Sequence, residues 1–272
     1  MERLNEIHEM DDEEPVAQTL LNYLPENKNI SFHNLSFTYP GAGNDPVLED
    51  INLSIPEGKV TAIVGVSGSG KTTLLKLLLK VYSQYQGDVV IGGTNFKNIS
   101  PSFWRSKCGA VLQDGFIFND SIIRNIAVGD ENVDHERLLQ SCRIANILSF
   151  IDTMPNGFNT KLGSEGVGIS QGQKQRLLIA RAVYKDPQYL FFDEATNTLD
   201  ANNEKAIVEN LREFFKGRTV VIVAHRLSTV KDADNIVVLH EGRIVEEGSH
   251  TCLSSARGRY YELVKNQLEL GS

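Results

Sequence analysis

Gly65-Val66-Ser67-Gly68-Ser69-Gly70-Lys71-Thr72-Thr73 is the stretch from which the rest of the chain can be read. It fits G-x-x-x-x-G-K-[ST], a phosphate-binding loop, and that pattern has meaning only between a strand and a helix. Both neighbours are legible. Val60-Thr61-Ala62-Ile63-Val64 is an apolar run of buried-strand type, and Leu74 to Val81 has the spacing of a helix. Glycines let the backbone fold round a phosphate with no Cβ in the way, so successive N–H groups point inward. The helix N-terminus adds about 0.3–1 kcal/mol of favourable dipole interaction for an anion. In such a loop the lysine, here Lys71, reaches the β- and γ-phosphates, and the Thr72 hydroxyl ligates Mg²⁺. A glycine-rich turn that binds nothing is the bland alternative, and the strand, the Lys-Thr pair and the helix together weigh against it. All nine residues are therefore candidate nucleotide contacts.

A second stretch completes the chemistry. Tyr189-Leu190-Phe191-Phe192-Asp193-Glu194 is four apolar residues ending in two carboxylates. A buried strand of this form delivers Asp193 to its C-terminal edge, where it holds Mg²⁺. Glu194 then faces the γ-phosphate as a general base for water, a role typically worth about 10²–10⁴-fold. Alone, the stretch could equally be a strand ending in solvated acids; beside a phosphate loop, it is a catalytic edge.

Composition narrows the class. Hydrophobic residues at 41% and charged residues at 23% are ordinary for a globular chain, and 272 residues can bury a substantial core. The net charge of −8, with Glu9 and Asp11-Asp12-Glu13-Glu14 near the start, argues against a nucleic-acid partner, which wants a basic face. Cys108, Cys142 and Cys252 have no metal or redox spacing. No apolar run approaches the roughly 20 residues that span a bilayer, so work at a membrane would need a partner to hold the chain there.

Residues 1–29 look like an approach segment, with Leu4, Ile7 and Met10 at helical spacing and Pro15 and Pro25 interrupting. Ile30 to Tyr39 and Val47 to Ile55 alternate apolar and polar residues as two strands about the turn-rich Pro40 to Pro46, and Gly87 to Ile91 is a further strand. From about 97 to 162 the pattern becomes helical, around 121–128, 134–142 and 143–152, with Trp104 at its start; this reads as a helical insertion. A long amphipathic helix is expected from Ser170 to Ala182. Val220 to Ala224 and Ile236 to Leu239 are buried strands, and a last helix starts near Arg259.

Between the two catalytic stretches lies Val167-Gly168-Ile169-Ser170-Gln171-Gly172-Gln173-Lys174-Gln175-Arg176. It resembles the LSGGQ signature of ATP-binding cassette proteins, and the order of the motifs is that family's order over roughly residues 30–270. The resemblance implies an α/β fold: a P-loop NTPase (RecA-like) core with an antiparallel β subdomain and an inserted α-helical subdomain. It implies ATP and Mg²⁺ as ligands. By the same resemblance Tyr39 stacks on adenine, Gln113 ligates Mg²⁺ and senses the γ-phosphate, and His225 contacts the γ-phosphate. Ser170, Gly172 and Gln173 cover the ATP of a second copy, and Asp200 in Asn197-Thr198-Leu199-Asp200 belongs to the loop that runs across that partner. Taken alone, Tyr39 is a strand tyrosine, Gln113 carries no signal and His225 is a structural histidine; the order of motifs gives them weight, and for Gln113 so does its place after a strand between the two catalytic stretches. Two positions depart from the family pattern. Gln171 stands where the signature has glycine. In Thr160 to Gly166, similar to the cross-linking loop of exporters, Ser164 replaces the usual glutamate and Glu165 follows one residue late.

Phe37-Thr38-Tyr39-Pro40, Gln113 to Phe118 and His225 to Val230 resemble the exporter branch, with a flavour of bacterial peptide or bacteriocin exporters. The resemblance implies an ATPase that dimerises head to tail around two ATP molecules and partners transmembrane domains at the cytoplasmic face of the plasma (inner) membrane. On this reading residues 1–29 are a linker from a preceding transmembrane region and 30–270 the ATPase domain. A stand-alone importer subunit is one alternative. A soluble ATPase of DNA repair or translation is another; it predicts coiled-coil insertions, tandem cassettes or basic tracts, none of which the sequence contains.

Overall fold

Four short runs, three of them rich in β-branched or aromatic residues, pair side by side in parallel, which is how strands buried on both faces are stabilised. They are β3 (Val60–Val64), β6 (Cys108–Val111), β7 (Tyr189–Asp193) and β8 (Thr219–Val223). With β9 (Asn235–His240) and β10 (Arg243–Gly248) they form one six-stranded sheet in the order β10-β9-β3-β8-β7-β6, in which only β10 is antiparallel. The computed structural model describes residues 13–14, 19–41, 43–163, 166–195, 197, 199–224 and 230–270, with side chains as far as 265.

Alternate residues of each strand enter two different cores. Ala62, Val64, Leu190, Phe192, Val220 and Ile222 pack on one face with Leu177 and Leu178 of α6 (Gln171–Tyr184) and Ile207 and Leu211 of α7 (Ala201–Phe215). On the other face Ile63, Tyr189, Phe191, Val221 and Val237 pack with the leucines of α1 (Lys71–Leu78). The helix behind the phosphate loop thus begins three residues earlier than Leu74, at the lysine itself.

A second sheet closes that core from outside: β1 (Ile30–Phe37), β2 (Leu48–Ile55), β4 (Gln86–Ile91) and β5 (Thr94–Asn95), in the order β2-β1-β4-β5 and wholly antiparallel. The alternation expected along β1 is broken. Phe32 and Leu35 are both buried although three apart, because the register shifts between them and Asn34 takes a positive φ of 50°. The extra residue lets one face keep its apolar side chains, as a bulge does. Opposite it Asn52 Oδ1 accepts from the Asn34 N–H at 3.0 Å.

The helical part inserted between β6 and β7 begins later than the expected residue 97. Cys108–Val111 is a strand of the main sheet, paired with Tyr189–Phe192, and α2 (Pro101–Lys107) leads directly into it. The insertion proper carries α3 (Ile122–Ile126), α4 (His135–Ile144) and α5 (Leu148–Asp152). Trp104 of α2 is fully buried; its Nε1–H donates to the Leu78 carbonyl at 2.6 Å, and its ring meets Phe96, Tyr189 and Phe191. It therefore joins the end of α1 to β7. The described part of the approach segment lies against the same helix: Leu21 exchanges backbone hydrogen bonds with Asn98 and Ser100, Glu14 accepts from the Ser102 N–H at 2.6 Å, and Glu13 pairs with Arg105. After β10 the chain ends in α8 (His250–Ala256) and α9 (Arg259–Leu270). No helix among the described residues is long and apolar enough to cross a membrane.

Candidate nucleotide site

Parallel strands bring their C-terminal ends to one edge of a sheet, and that edge is where loops can converge on a ligand. Here β3 runs into Gly65, β7 into Glu194, and β6 into Leu112 and Gln113. Strand β8 lies between β3 and β7, so Asp193 reaches the phosphate loop across it through side chains. The Thr72 hydroxyl lies near its carboxylate and pulls its pKa down.

The loop is shaped by contacts only glycine permits. Gly65 has φ +155°, and a Cβ there would lie 2.1 Å from the Leu239 carbonyl oxygen and 2.7 Å from Ser69 Oγ. Gly70, with φ +101°, caps α1, and its Cβ would lie 2.7 Å from Leu48. Lys71 is only 5% exposed, and its ammonium donates to the carbonyls of Gly65 at 3.0 Å and Val66 at 2.8 Å. Burial lowers its pKa, against the pull of the Glu194 and Asp193 carboxylates. The cradle thus holds a cation over its own backbone.

Asp193 is 1% exposed, and burial pushes its carboxyl above the ordinary range while the nearby Thr72 hydroxyl and Lys71 pull it down. Its Oδ1 is buried with no hydrogen-bond partner among the described residues, as is Ser69 Oγ. A carboxylate oxygen left so costs several kcal/mol unless something binds it. A hard cation with oxygen ligands fits that position: Thr72 and Asp193 supply hydroxyl and carboxylate, and Gln113, exposed just beyond β6, supplies an amide. No cluster of three or more His, Cys, Asp or Glu exists among the described residues. The donor set therefore suits Mg²⁺, which keeps most of its water, and not an all-protein metal cage.

Glu194 follows in a left-handed conformation, φ 53°, its N–H donating to the Val223 carbonyl at 2.9 Å. Its Oε2 accepts from Asn197 Nδ2 at 2.7 Å. The sequence marks Asn197 only as the start of the loop that ends at Asp200; its bond to Glu194, three residues back, is not legible there. Tyr39 packs edge-on against Phe37 and Tyr82, and its hydroxyl shares a hydrogen bond with Thr73 Oγ1 at 2.8 Å. The aromatic ring is thereby tied to the first turn of α1.

Gln113 opens a loop fixed from behind. Arg181 donates to the Phe116 carbonyl at 2.8 Å and the Asn125 carbonyl at 2.7 Å, and Asn125 bonds both backbone groups of Phe118. Phe116, 66% exposed, and Phe118 stand on its surface.

Ser170 caps α6 in a reciprocal box: its hydroxyl accepts from the Gln173 N–H, and Gln173 Oε1 accepts from the Ser170 N–H at 2.8 Å. Gly172 lies in the first turn. No hydrogen bond joins these three residues to residues 65–73 of the same chain among the described residues. Asp200 caps α7, accepting from Asn203 N at 3.0 Å and Asn203 Nδ2 at 2.6 Å. His225, Ser164 and Glu165 lie outside the described residues.

A family model described as ABC transporter matches residues 48–197. Among curated proteins the chain is 45% identical over 249 residues to the toxin RTX-I translocation ATP-binding protein of Actinobacillus pleuropneumoniae, covering 90% of this chain and 35% of that one. It is 45% identical over 233 residues to the alpha-hemolysin translocation ATP-binding protein HlyB of Escherichia coli, covering 85% and 33%. Against the multidrug resistance protein pgp-1 of Caenorhabditis elegans it is 41% identical over 239 residues, covering 88% and 18%. The chain thus spans about a third or less of the length of these relatives. Among solved structures, a bacterial Atm1-family ABC exporter with ATP bound superposes with a TM-score of 0.88 at 35% identity, over 98% of this chain and 46% of that one. With its sheet order, its phosphate loop and a family model over more than half its length, the chain belongs to the ABC transporter family, as an ATP-hydrolysing nucleotide-binding domain of the exporter type.

Proposed function

We propose that the cradle of residues 65–73 binds Mg²⁺-ATP, that Glu194 is the general base for its hydrolysis, and that two copies of the domain close head to tail around two ATP molecules to drive export. The observation that carries the site is Asp193 Oδ1, buried and unpartnered at the end of β7 next to Thr72. Bound there, Mg²⁺ would neutralise charge on the β- and γ-phosphate oxygens. The backbone N–H groups of 65–73 and the Lys71 ammonium orient the triphosphate. The Tyr39 ring carries the adenine, a contact worth roughly 1–3 kcal/mol per base. Glu194 takes the proton of the attacking water while the bond from the γ-phosphorus to the bridging oxygen breaks and ADP leaves. Gln113 and His225 act at the γ-phosphate end.

The start of α6, with Ser170 exposed and Gly172 and Gln173 half-buried, serves the ATP of the second copy, and Asp200 runs along that interface. The partner membrane domains lie on the same polypeptide, which the third-or-less coverage of the relatives supports. The domain sits at the cytoplasmic face of the plasma (inner) membrane, and the cargo is a polypeptide. The names of the two toxin-translocation relatives, at 45% identity, support that cargo class.

Glu194→Gln tests the core of this reading. Turnover should fall by about 10²-fold or more, ATP binding should persist, and ATP with Mg²⁺ should move the protein to a dimer in size-exclusion chromatography. Full-speed hydrolysis by the variant, or a monomer at high protein and ATP concentration, would remove the base or the dimer respectively. About six hydrophobic segments encoded upstream in the same reading frame would support the membrane part; their absence would favour a separate permease.

A further inference from the structure

We infer that Asn203 is a positioning residue for hydrolysis: it ties the signature helix to the turn that carries Glu194, so that the two phosphate-facing ends of one domain move together. The inference rests on the proposed ATPase site and adds an internal link to it. Asn203 stands at the third position of α7, where a glutamate or glutamine would usually reach back to the cap backbone. Asparagine is too short for that. It instead gives its backbone N–H and its Nδ2 to the two carboxylate oxygens of Asp200, at 3.0 and 2.6 Å. Its Oδ1 is left to accept, and it accepts twice, from Arg176 Nη1 at 3.0 Å and Asn146 Nδ2 at 2.9 Å.

Three elements therefore meet on one amide. Arg176 lies six residues into the helix segment that opens with Ser170, and it also donates to the Asn146 carbonyl at 2.8 Å. Asn146 follows α4 in a left-handed conformation, φ 49°, and Asn210 of α7 donates to the Arg143 and Ile144 carbonyls of that helix end. At the other end, Asp200 lies three residues after Asn197, whose Nδ2 donates to Glu194 Oε2 at 2.7 Å. Short polar contacts thus join Arg176, Asn203 and Asp200, and the chain itself carries the link on, along α6 back to Ser170 at one end and from Asp200 back to Asn197 and Glu194 at the other.

Arg176 and Asp200 have opposite charges yet meet only through Asn203. A side chain without both an acceptor and a donor breaks the run: aspartate keeps the acceptor for Arg176 but sets a carboxylate against Asp200, and alanine removes both. A double-mutant cycle across Arg176 and Asn203 measures that coupling directly.

Steady-state hydrolysis by the full chain, with Mg²⁺-ATP, should be measured for the unmodified protein, Asn203→Ala, Arg176→Ala and the double variant. Asn203→Ala should lower kcat about tenfold or more and leave KM for ATP within about twofold. The double variant should be no slower than the worse single one, because both break the same link. Asn203→Asp, which keeps the acceptor for Arg176 but repels Asp200, should match the alanine variant in kcat; it also serves if the alanine variant does not fold. Multiplying losses in the double variant, or activity that follows the thermal midpoint across the series, overturns the inference. An unmodified chain that hydrolyses no ATP would sink the parent reading as well. An active chain with independent variants sinks only this link.

Discussion

The Lys71 ammonium is bonded to the carbonyl of Val66 at 2.8 Å, five residues back along its own loop. A cation so buried is costly, and burial lowers its pKa. Its position is better explained by the triphosphate it serves than by the stability of the fold. Lys71→Met should therefore leave the thermal midpoint of the nucleotide-free protein unchanged or raise it. ATP affinity should fall about 10- to 150-fold, the loss of one charged hydrogen bond of about 1.5–3 kcal/mol. Calorimetric melts with titration of a fluorescent ATP analogue measure both, and a variant that is destabilised yet binds normally would reverse this account.

Tyr39 has two jobs that substitution can separate. Its hydroxyl is bonded to Thr73, and its ring packs edge-on with Phe37 and Tyr82. Tyr39→Phe keeps the ring and loses the bond, so it should cost about 1 kcal/mol of stability and little adenine affinity. Tyr39→Ala should weaken ATP by roughly 5- to 150-fold, the range expected for one stacked base, with kcat nearly unchanged at saturation. Equal nucleotide affinity in all three proteins would make Tyr39 a packing residue only.

The loop glycines differ in what they forbid. A Cβ at Gly65 would meet the Leu239 carbonyl oxygen at 2.1 Å, whereas one at Gly68, φ +79°, would meet nothing within 4 Å. Gly68→Ala should cost only the left-handed backbone penalty, about 1–2 kcal/mol. Gly65→Ala must also push β9 from the loop and should cost more than that in urea denaturation. Similar midpoints for the two variants would refute the close approach of loop and strand.

The cradle, Asp193 and Glu194 were legible because a phosphate loop and a strand ending in carboxylates each need fixed residue types at fixed spacing. The sheet that carries them was less so. A strand before Gln113 is legible, but Cys108–Val111 is only four residues long and follows a helix, so it falls inside the expected bounds of the insertion, whereas its place beside β7 makes it core. The bulge at Asn34 was hidden because apolar residues three apart look helical or irregular until a partner strand is present. The Asn203 junction was invisible for a different reason. It joins Asn146 to Asn203 across 57 residues, and a hydrogen-bonded pair leaves no periodic trace in one sequence.

Asn203 also sets the acidity of Asp200. The hydrogen bonds from its side chain and backbone hold the Asp200 carboxyl below the usual carboxylate range. That range centres on about pH 3.9 in an unfolded chain. A pKa depressed by folding contributes stability that is present above the unfolded value and is lost as pH falls through the folded one. Asn203→Ala removes one of those donors, so the Asp200 carboxyl should titrate higher, which carboxylate ¹³C NMR can follow. The stability difference between the two proteins should be constant above about pH 5 and narrow below about pH 4. It should not vanish, since the bonds from Arg176 and Asn146 to Asn203 involve no group that titrates there. An Asp200 titration unmoved by the substitution would mean that the backbone N–H alone holds the carboxylate, and that the side-chain link between Asp200 and Asn203 is absent in solution.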